Sequence, residues 1–337
     1  MTTLYTEREI LDDIALFSED FPHWHKVILS GLPVCVNMND EDLEEKLMDA
    51  EDPIFLAYNA SATMELPIAL DSYFTNIKSD LTHIIDKPKS IFLLDIEDNL
   101  AINARKDYGM AVYSINNLPD RIFNFAFSLD LEKAQTIDTN WKGILSFDKP
   151  LSNSLIITDN YYFNNEDSNI NRGFSNLVNF IDAYLPNELA IDYHITIFAE
   201  DANKSNESWV REYGKLVALI KPLREFNINL ELVLSSTIHR RRLVSNYVFG
   251  KTDQGYDVFH AKKIDDVKLD NEFEHFEIFS NLDNPGTKYF KASDNTTLKL
   301  EKISNSICEY VSINGNSSGR MLFGCNKDKT IKNRLLN

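Results

Sequence analysis

The feature that most constrains this chain is an alternation of short apolar, β-branched runs with stretches of helical spacing. The runs Ser90-Ile-Phe-Leu-Leu-Asp95, Leu155-Ile-Ile-Thr-Asp159, Tyr193-His-Ile-Thr-Ile-Phe198 and Asn229 to Ser235 are followed or separated by Ile96 to Gly109, Ser175 to Leu185 and Trp209 to Glu225. Strands that are apolar throughout, rather than at every second residue, are covered on both faces. Parallel strands joined by crossover helices give that arrangement. The expected fold class is therefore α/β, with two α/β domains, the C-terminal one built on a mixed, mainly parallel sheet.

The N-terminal domain is read over 1–150. Thr6 with Glu9 reads as a capping box opening a helix through about Phe17, and Pro33 to Val36 as a short strand. Asn39-Asp40 precedes an acidic helix, Glu41 to Ala50. Pro53 to Tyr58 reads as a short buried strand, and Leu66 to Ile85 as one or two helices. Ser90 to Ser114 makes a strand–helix–strand unit whose helix stops at Gly109. Phe123 to Phe147 is less regular and suits edge strands before a boundary at Lys149-Pro150-Leu151.

A second domain is expected over 151–310 and a C-terminal extension over 311–337. Within it Arg241 to Phe249 and Tyr256 to Phe259 suggest a hairpin turning at Thr252 to Gly255. Phe273 to Phe279 is another apolar stretch, Thr297 to Tyr310 a helix, and the basic tail Lys327 to Leu336 is expected to fray. Eleven glycines and ten prolines in 337 residues leave no composition for long flexible linkers.

Charge narrows the function classes. Lys plus Arg number 34 against 52 Asp plus Glu, a formal charge of −18, and such a field repels polyanions at long range. A local basic site still acts, because screening limits exposed charges to about 8 Å at physiological salt. Cys35, Cys308 and Cys325 are odd in number and widely spaced, so neither a disulfide framework nor a zinc site is indicated. No signal-peptide core and no long apolar window is seen, so a cytoplasmic protein with no membrane association is expected.

The apolar run from Asn229 ends in His239-Arg-Arg-Arg-Leu-Val-Ser-Asn246, and His239, Arg241 and Asn246 have the spacing H-x-R-x4-N. This resembles the H-x-K-x4-D signature of the phospholipase D superfamily over roughly Ser154 to Ala261. The resemblance implies a histidine nucleophile at His239, a phosphate clamp at Arg241, and Asn246 in place of the orienting acid. Arginine still binds phosphate bidentately, whereas asparagine supplies no anion to stabilise an imidazolium. Active members use two such motifs, and none of the other six histidines has a comparable context, so only a symmetric homodimer supplies a second copy of His239.

The continuation through Asn246 to Gly255-Tyr-Asp-Val-Phe259 is similar to the noncatalytic branch of that superfamily, including the C-terminal domain of MIT-domain proteins. The branch is associated with binding, and related domains recur in bacterial defence and restriction-type proteins. The resemblance thus implies a phosphate-, nucleic-acid- or partner-binding subunit of a multi-component system, with no cofactor. Strand alternation puts His239 and Arg241 on one face and Arg240 and Arg242 on the other. The plain alternative is an exposed basic strand whose arginines pair with the many carboxylates of an acidic structural protein.

A second candidate is Asp95, Glu97 and Asp98, following the strand Ser90 to Leu94 at the carboxyl end where α/β sheets bind ligands. Three acids there suit Mg²⁺, and the passage resembles the later strand–helix–strand of PIN-like metal nucleases. That resemblance implies a phosphodiesterase or nuclease, although the asparagines after Pro33 stand where a first-strand aspartate is needed. The competing reading is a helix start whose acids complement the dipole. His23-Trp-His25 follows Pro22 and reads as a helix entry, and no Gly-rich nucleotide loop, G-x-S-x-G or H-E-x-x-H occurs.

Overall fold

The computed structural model describes all residues except 61–70, 146–150, 164–165, 168–169, 202–203, 239 and 285, and only the backbone at 71, 72, 166, 167 and 170. It is α/β, with one parallel sheet and one mixed sheet. The chain divides into two compact units, residues 1–124 with 278–294, and residues 125–277 with 295–337. The division falls after Asn124 rather than at the Lys149-Pro150-Leu151 boundary read from sequence, part of which lies outside the described residues.

In the first unit four parallel strands lie in the order β2-β1-β3-β4: β1 (Leu4–Glu7), β2 (Val34–Asn37), β3 (Ile91–Leu94) and β4 (Ala111–Ser114). All four residues of β1, β3 and β4 are buried, as strands covered on both faces must be. The helices are α1 (Arg8–Leu16), α2 (Pro22–Ile28), α3 (Asp40–Leu47), α4 (Pro53–Ala60), α5 (Asp71–Ser79) and α6 (Asp98–Tyr108). Asn39 caps α3 through a bond from the Asp42 amide, 2.8 Å, and Gly109 closes α6 at φ 61, a left-handed conformation that glycine adopts without steric cost.

Two expectations here are corrected. Thr6 belongs to β1 and caps nothing, since Leu4 pairs with Val34 on one side and Ile91 on the other. Pro53 to Tyr58 is helical: the Asp52 carboxylate accepts the Ile54 amide at 2.9 Å, and Pro53 stands at the first turn, where its missing N–H costs nothing. The expected helices within Leu66 to Ile85 are described only from residue 71, as α5 and a 3-10 turn over Leu81–Asp86.

The second unit carries eight strands in the order β14-β10-β9-β6-β11-β12-β13-β5. They are β5 (Ala126–Leu131), β6 (Ser154–Thr158), β9 (Tyr193–Ala199), β10 (Ile228–Ser235), β11 (Arg242–Ser245), β12 (Val248–Thr252), β13 (Asn271–Glu277) and β14 (Arg320–Phe323); a short ribbon pairs β7 (Glu166–Asp167) with β8 (Ile170–Asn171). The parallel part is β10-β9-β6, and every other pairing in the large sheet is antiparallel. Helices α7 (Trp141–Ile144), α8 (Arg172–Tyr184) and α9 (Asn206–Ile220) complete the order with α10 (Tyr289–Asn314). Thr297, Leu300, Ser304, Ile307 and Val311 form a buried stripe on α10 at alternating spacings of three and four.

The hairpin turns at Asn246-Tyr247, between β11 and β12, not at Thr252 to Gly255. Tyr256 to Phe259 forms no strand, only the isolated bridge Phe259 to Val267. The basic tail is held instead of frayed: the fully buried Glu231 carboxylate accepts the amides of Lys332 (2.6 Å) and Asn333 (3.2 Å) and the Thr196 hydroxyl (2.9 Å), and Leu335 and Leu336 are buried. β14 makes the expected extension, 311–337, part of the sheet. The three cysteines are free thiols. No helix among the described residues is long and apolar enough to cross a membrane.

Candidate functional site

In an open α/β sheet a crevice forms at the carboxyl ends of the strands where successive connections leave a strand in opposite directions. Strand β6 meets that condition in the second unit: the chain runs from β6 outward to β9 and β10, then crosses to β11 on the other flank. β11 is antiparallel to β6 with Arg242 opposite Thr158, so the Arg240 to Arg242 segment arrives at the carboxyl end of β6. Thr158 fixes it there. Its hydroxyl bonds the Arg240 carbonyl and accepts the Arg242 amide at 2.9 Å.

Asp159, directly after β6, is 1% exposed. Its carboxylate accepts the amides of Tyr161 (3.0 Å) and Tyr256 (3.2 Å), and Arg241 Nε lies 3.7 Å from Oδ1. Burial raises the carboxyl to about 6, with the nearby Asp257 charge adding to the rise while the two amides and Arg241 oppose it. Gly255, at φ 100, makes this approach feasible: a Cβ there would stand 2.1 Å from Asp159 Oδ2. Asp257 is in turn paired with the buried Arg172, Nη2 at 2.9 Å and Nε at 3.2 Å.

The Arg241 guanidinium sits 5.3 Å from the centroid of the half-exposed Tyr161 ring and donates from Nη1 to the Asp253 carbonyl. Its Nε is buried without a hydrogen bond, and Nη2 has no protein acceptor among the described residues. Arg240 is exposed. Arg242 turns the other way, into a cross-strand row with Thr158, Lys251 and Glu274, and burial together with the Arg240 charge lowers its pKa. The alternation of the three arginines thus follows the strand geometry.

Of the residues singled out from sequence, Arg241 occupies this site and Asn246 does not. Asn246 is fully buried at the β11–β12 turn, at the opposite end of β6. Its Oδ1 accepts the amides of Asn153 (3.0 Å) and Ser154 (3.1 Å), and its Nδ2 donates to Asn153 Oδ1 at 3.1 Å. Arg241 and Asn246 are separated by roughly 16 Å of chain at about 3.3 Å per residue, so they cannot hold one phosphoryl group. His239 lies outside the described residues. Sequence reasoning overlooked Asp159, Tyr161 and Gly255; the visible signal was an aspartate closing the first strand of a parallel set.

The second candidate, in the first unit, stands at the switch between β1 and β3. Asp95 and Glu97 are exposed, and Asp98 has one buried oxygen without a hydrogen bond. Glu7, unremarked in the sequence, ends β1. Its Oε1 accepts the Asp95 amide at 2.9 Å and its Oε2 pairs with Lys78 Nζ at 3.0 Å. Among the described residues no group of three or more His, Cys, Asp or Glu is placed to hold a metal ion. His23 and His25 lie on α2, and burial lowers the His23 imidazole to about 4.

No protein-family model matches this sequence, and no curated protein matches it.

Proposed function

We propose that the second unit binds a phosphodiester backbone, that of a single-stranded nucleic acid, through Arg241 and Arg240, and does not cleave it. The observation that carries this reading is the Arg241 guanidinium at the switch point beside β6, oriented by Asp159 and Asp253 with one edge free of protein acceptors. A planar cation held in one orientation is suited to bidentate phosphate contact, and the neighbouring Tyr161 ring gives an unpaired base a surface on which to stack. The exposed Arg240 adds a contact for a neighbouring phosphate. The body, at −18, discourages nonspecific binding, so affinity rests on this local site.

Binding is the reading that the described partners of Arg241 support: Asp159 and the Asp253 carbonyl orient the guanidinium and Tyr161 offers a ring beside it, the parts of a phosphate contact. The resemblance of the sequence to the noncatalytic phospholipase D-like branch, which is associated with binding, supports the same reading. It extends the proposal to a subunit of a bacterial nucleic-acid-directed defence assembly that recruits a protein partner.

Fluorescence anisotropy with labelled single-stranded DNA and RNA tests the reading. Arg241→Ala should weaken binding by on the order of tenfold, with Arg241→Lys recovering part of the loss. Equal binding by wild type and Arg241→Ala would overturn the site. Cleavage of the labelled strand that survives EDTA and disappears in His239→Ala would overturn the noncatalytic part.

A further inference from the structure

A second basic site lies elsewhere in the second unit, in a cavity of about 500 Å³ lined by Lys133, Ala134, Thr136, His260, Lys262, Lys263, Asp266 and Val267. Two loops frame it and are zipped by backbone bonds: Ala134 N to Val267 O, Val267 N to Gln135 O and Ile137 N to Asp265 O, each 2.8 Å. Ala134 is held at φ 70, a conformation that a residue with a Cβ adopts only under constraint from its surroundings. The walls are therefore fixed while the lysines that crown them are exposed.

The charge balance of the lining is unusual for this chain. Three lysines face one carboxylate, Asp266, in a protein whose acids outnumber its bases by 52 to 34. That carboxylate accepts the Thr136 hydroxyl at 2.9 Å and stands 3.7 Å from the largely exposed Lys263. Lys133 and Lys262 have no ion-pair partner among the described residues. Cations left uncompensated around a concavity, on a body that otherwise repels anions, concentrate anionic ligands locally. Ala134 and Val267 give the cavity an apolar wall.

We propose that this cavity is a binding site for a phosphate monoester or polyphosphate of mononucleotide size, with Lys133, Lys262 and Lys263 as the phosphate contacts. Cavities of a few hundred Å³ hold ligands of that size, and lysine serves phosphate as a compact point charge. The site is separate from Arg241 and does not depend on the role of that residue.

Isothermal titration of the full chain with ATP and with AMP, in the absence of divalent metal, tests the proposal. A parallel titration uses a short oligonucleotide with and without a 5′-phosphate. Binding of ATP, falling on the order of tenfold or more in Lys133→Ala/Lys262→Ala/Lys263→Ala and unchanged in Arg241→Ala, supports the site with a free nucleotide as its source. Binding that requires the 5′-phosphate and is lost in the same triple variant supports it with a nucleic-acid end as the source. Asp266→Asn, which keeps an acceptor for Thr136 and removes the one negative charge, should tighten either ligand a few-fold. No binding of any of these probes, or equal binding by wild type and the triple variant, overturns the proposal.

Discussion

Each unit places a carboxylate at the carboxyl end of a central parallel strand with a basic side chain beside it, and the two are built to different ends. In the first unit Glu7 fills the crevice itself: one oxygen takes the Asp95 amide of the neighbouring strand end, the other takes Lys78 at 3.0 Å. In the second, Asp159 is satisfied by two backbone amides, and its cation, Arg241, stands at 3.7 Å with part of its donor set unused. A switch point whose polar groups are saturated by one another is a fastening between strands. One whose cation remains partly uncommitted is a place for a ligand.

The sharpest way to break this contrast is to remove the acid that closes the first crevice. Glu7→Ala leaves the Asp95 amide and Lys78 without their acceptor, and should cost about 2–3 kcal/mol, the loss expected for hydrogen bonds to a charged, largely buried group. Chemical denaturation gives the total, and hydrogen exchange at the Asp95 amide gives the local part. Arg241→Ala should change stability by less than about 1 kcal/mol, because that pair is long and its arginine side chain is 25% exposed. Equal costs for the two variants would remove the distinction between fastening and ligand site.

Asp159 tests the other side of the comparison through pH. Its folded pKa, near 6, lies above the ordinary 3.8, so between about pH 4 and 6 the folded chain holds a proton that the unfolded chain has released. That contribution to stability is fully present below about pH 4, declines as pH rises to 6, and is level above. The same proton frees Arg241 from its ion pair, so affinity for an oligonucleotide, whose phosphodiesters do not titrate there, should rise a few-fold as pH falls from 7 to 5. Imidazole side chains in general change charge between pH 5 and 8. Asp159→Asn separates the causes, since it should flatten the part due to Asp159, and an unchanged pH profile in that variant would remove Asp159 from the account.

The elements legible in the sequence were those whose pattern is local. The β3-α6-β4 unit, the Asn39 cap and the apolar runs of β6, β9 and β10 follow from periodicity and capping alone. The failures share a physical cause in partners distant along the chain. Thr6 to Glu9 carries a Thr-x-x-Glu pattern typical of a helix start, and pairing with Val34 and Ile91 instead makes Leu4 to Glu7 a strand. The tail beyond Lys327 has the composition of a frayed end, and partners far along the chain, among them the Glu231 carboxylate 101 residues before Lys332, hold it down. The spacing of His239, Arg241 and Asn246 suggests one constellation, but the extended backbone of β11 carries Arg241 and Asn246 apart, and Asn246 fastens the far turn. Asp159 and Gly255 were in view as a strand end and a turn; their contact across 96 positions was not.

The smallest expected effect bears on the exposed acids of the first unit. If Glu7 already closes that crevice, Asp95 and Glu97 complement a helix start and little else, and Asp95→Asn with Glu97→Gln should alter stability by no more than about 0.5 kcal/mol. Magnesium then has no set of ligands to bring together, and thermal unfolding of wild type and double variant should respond equally to millimolar Mg²⁺. A stabilisation by Mg²⁺ that the double variant loses would mean that Glu7 releases the Asp95 strand end to admit a cation, and the first unit would then carry the more reactive of the two switch points.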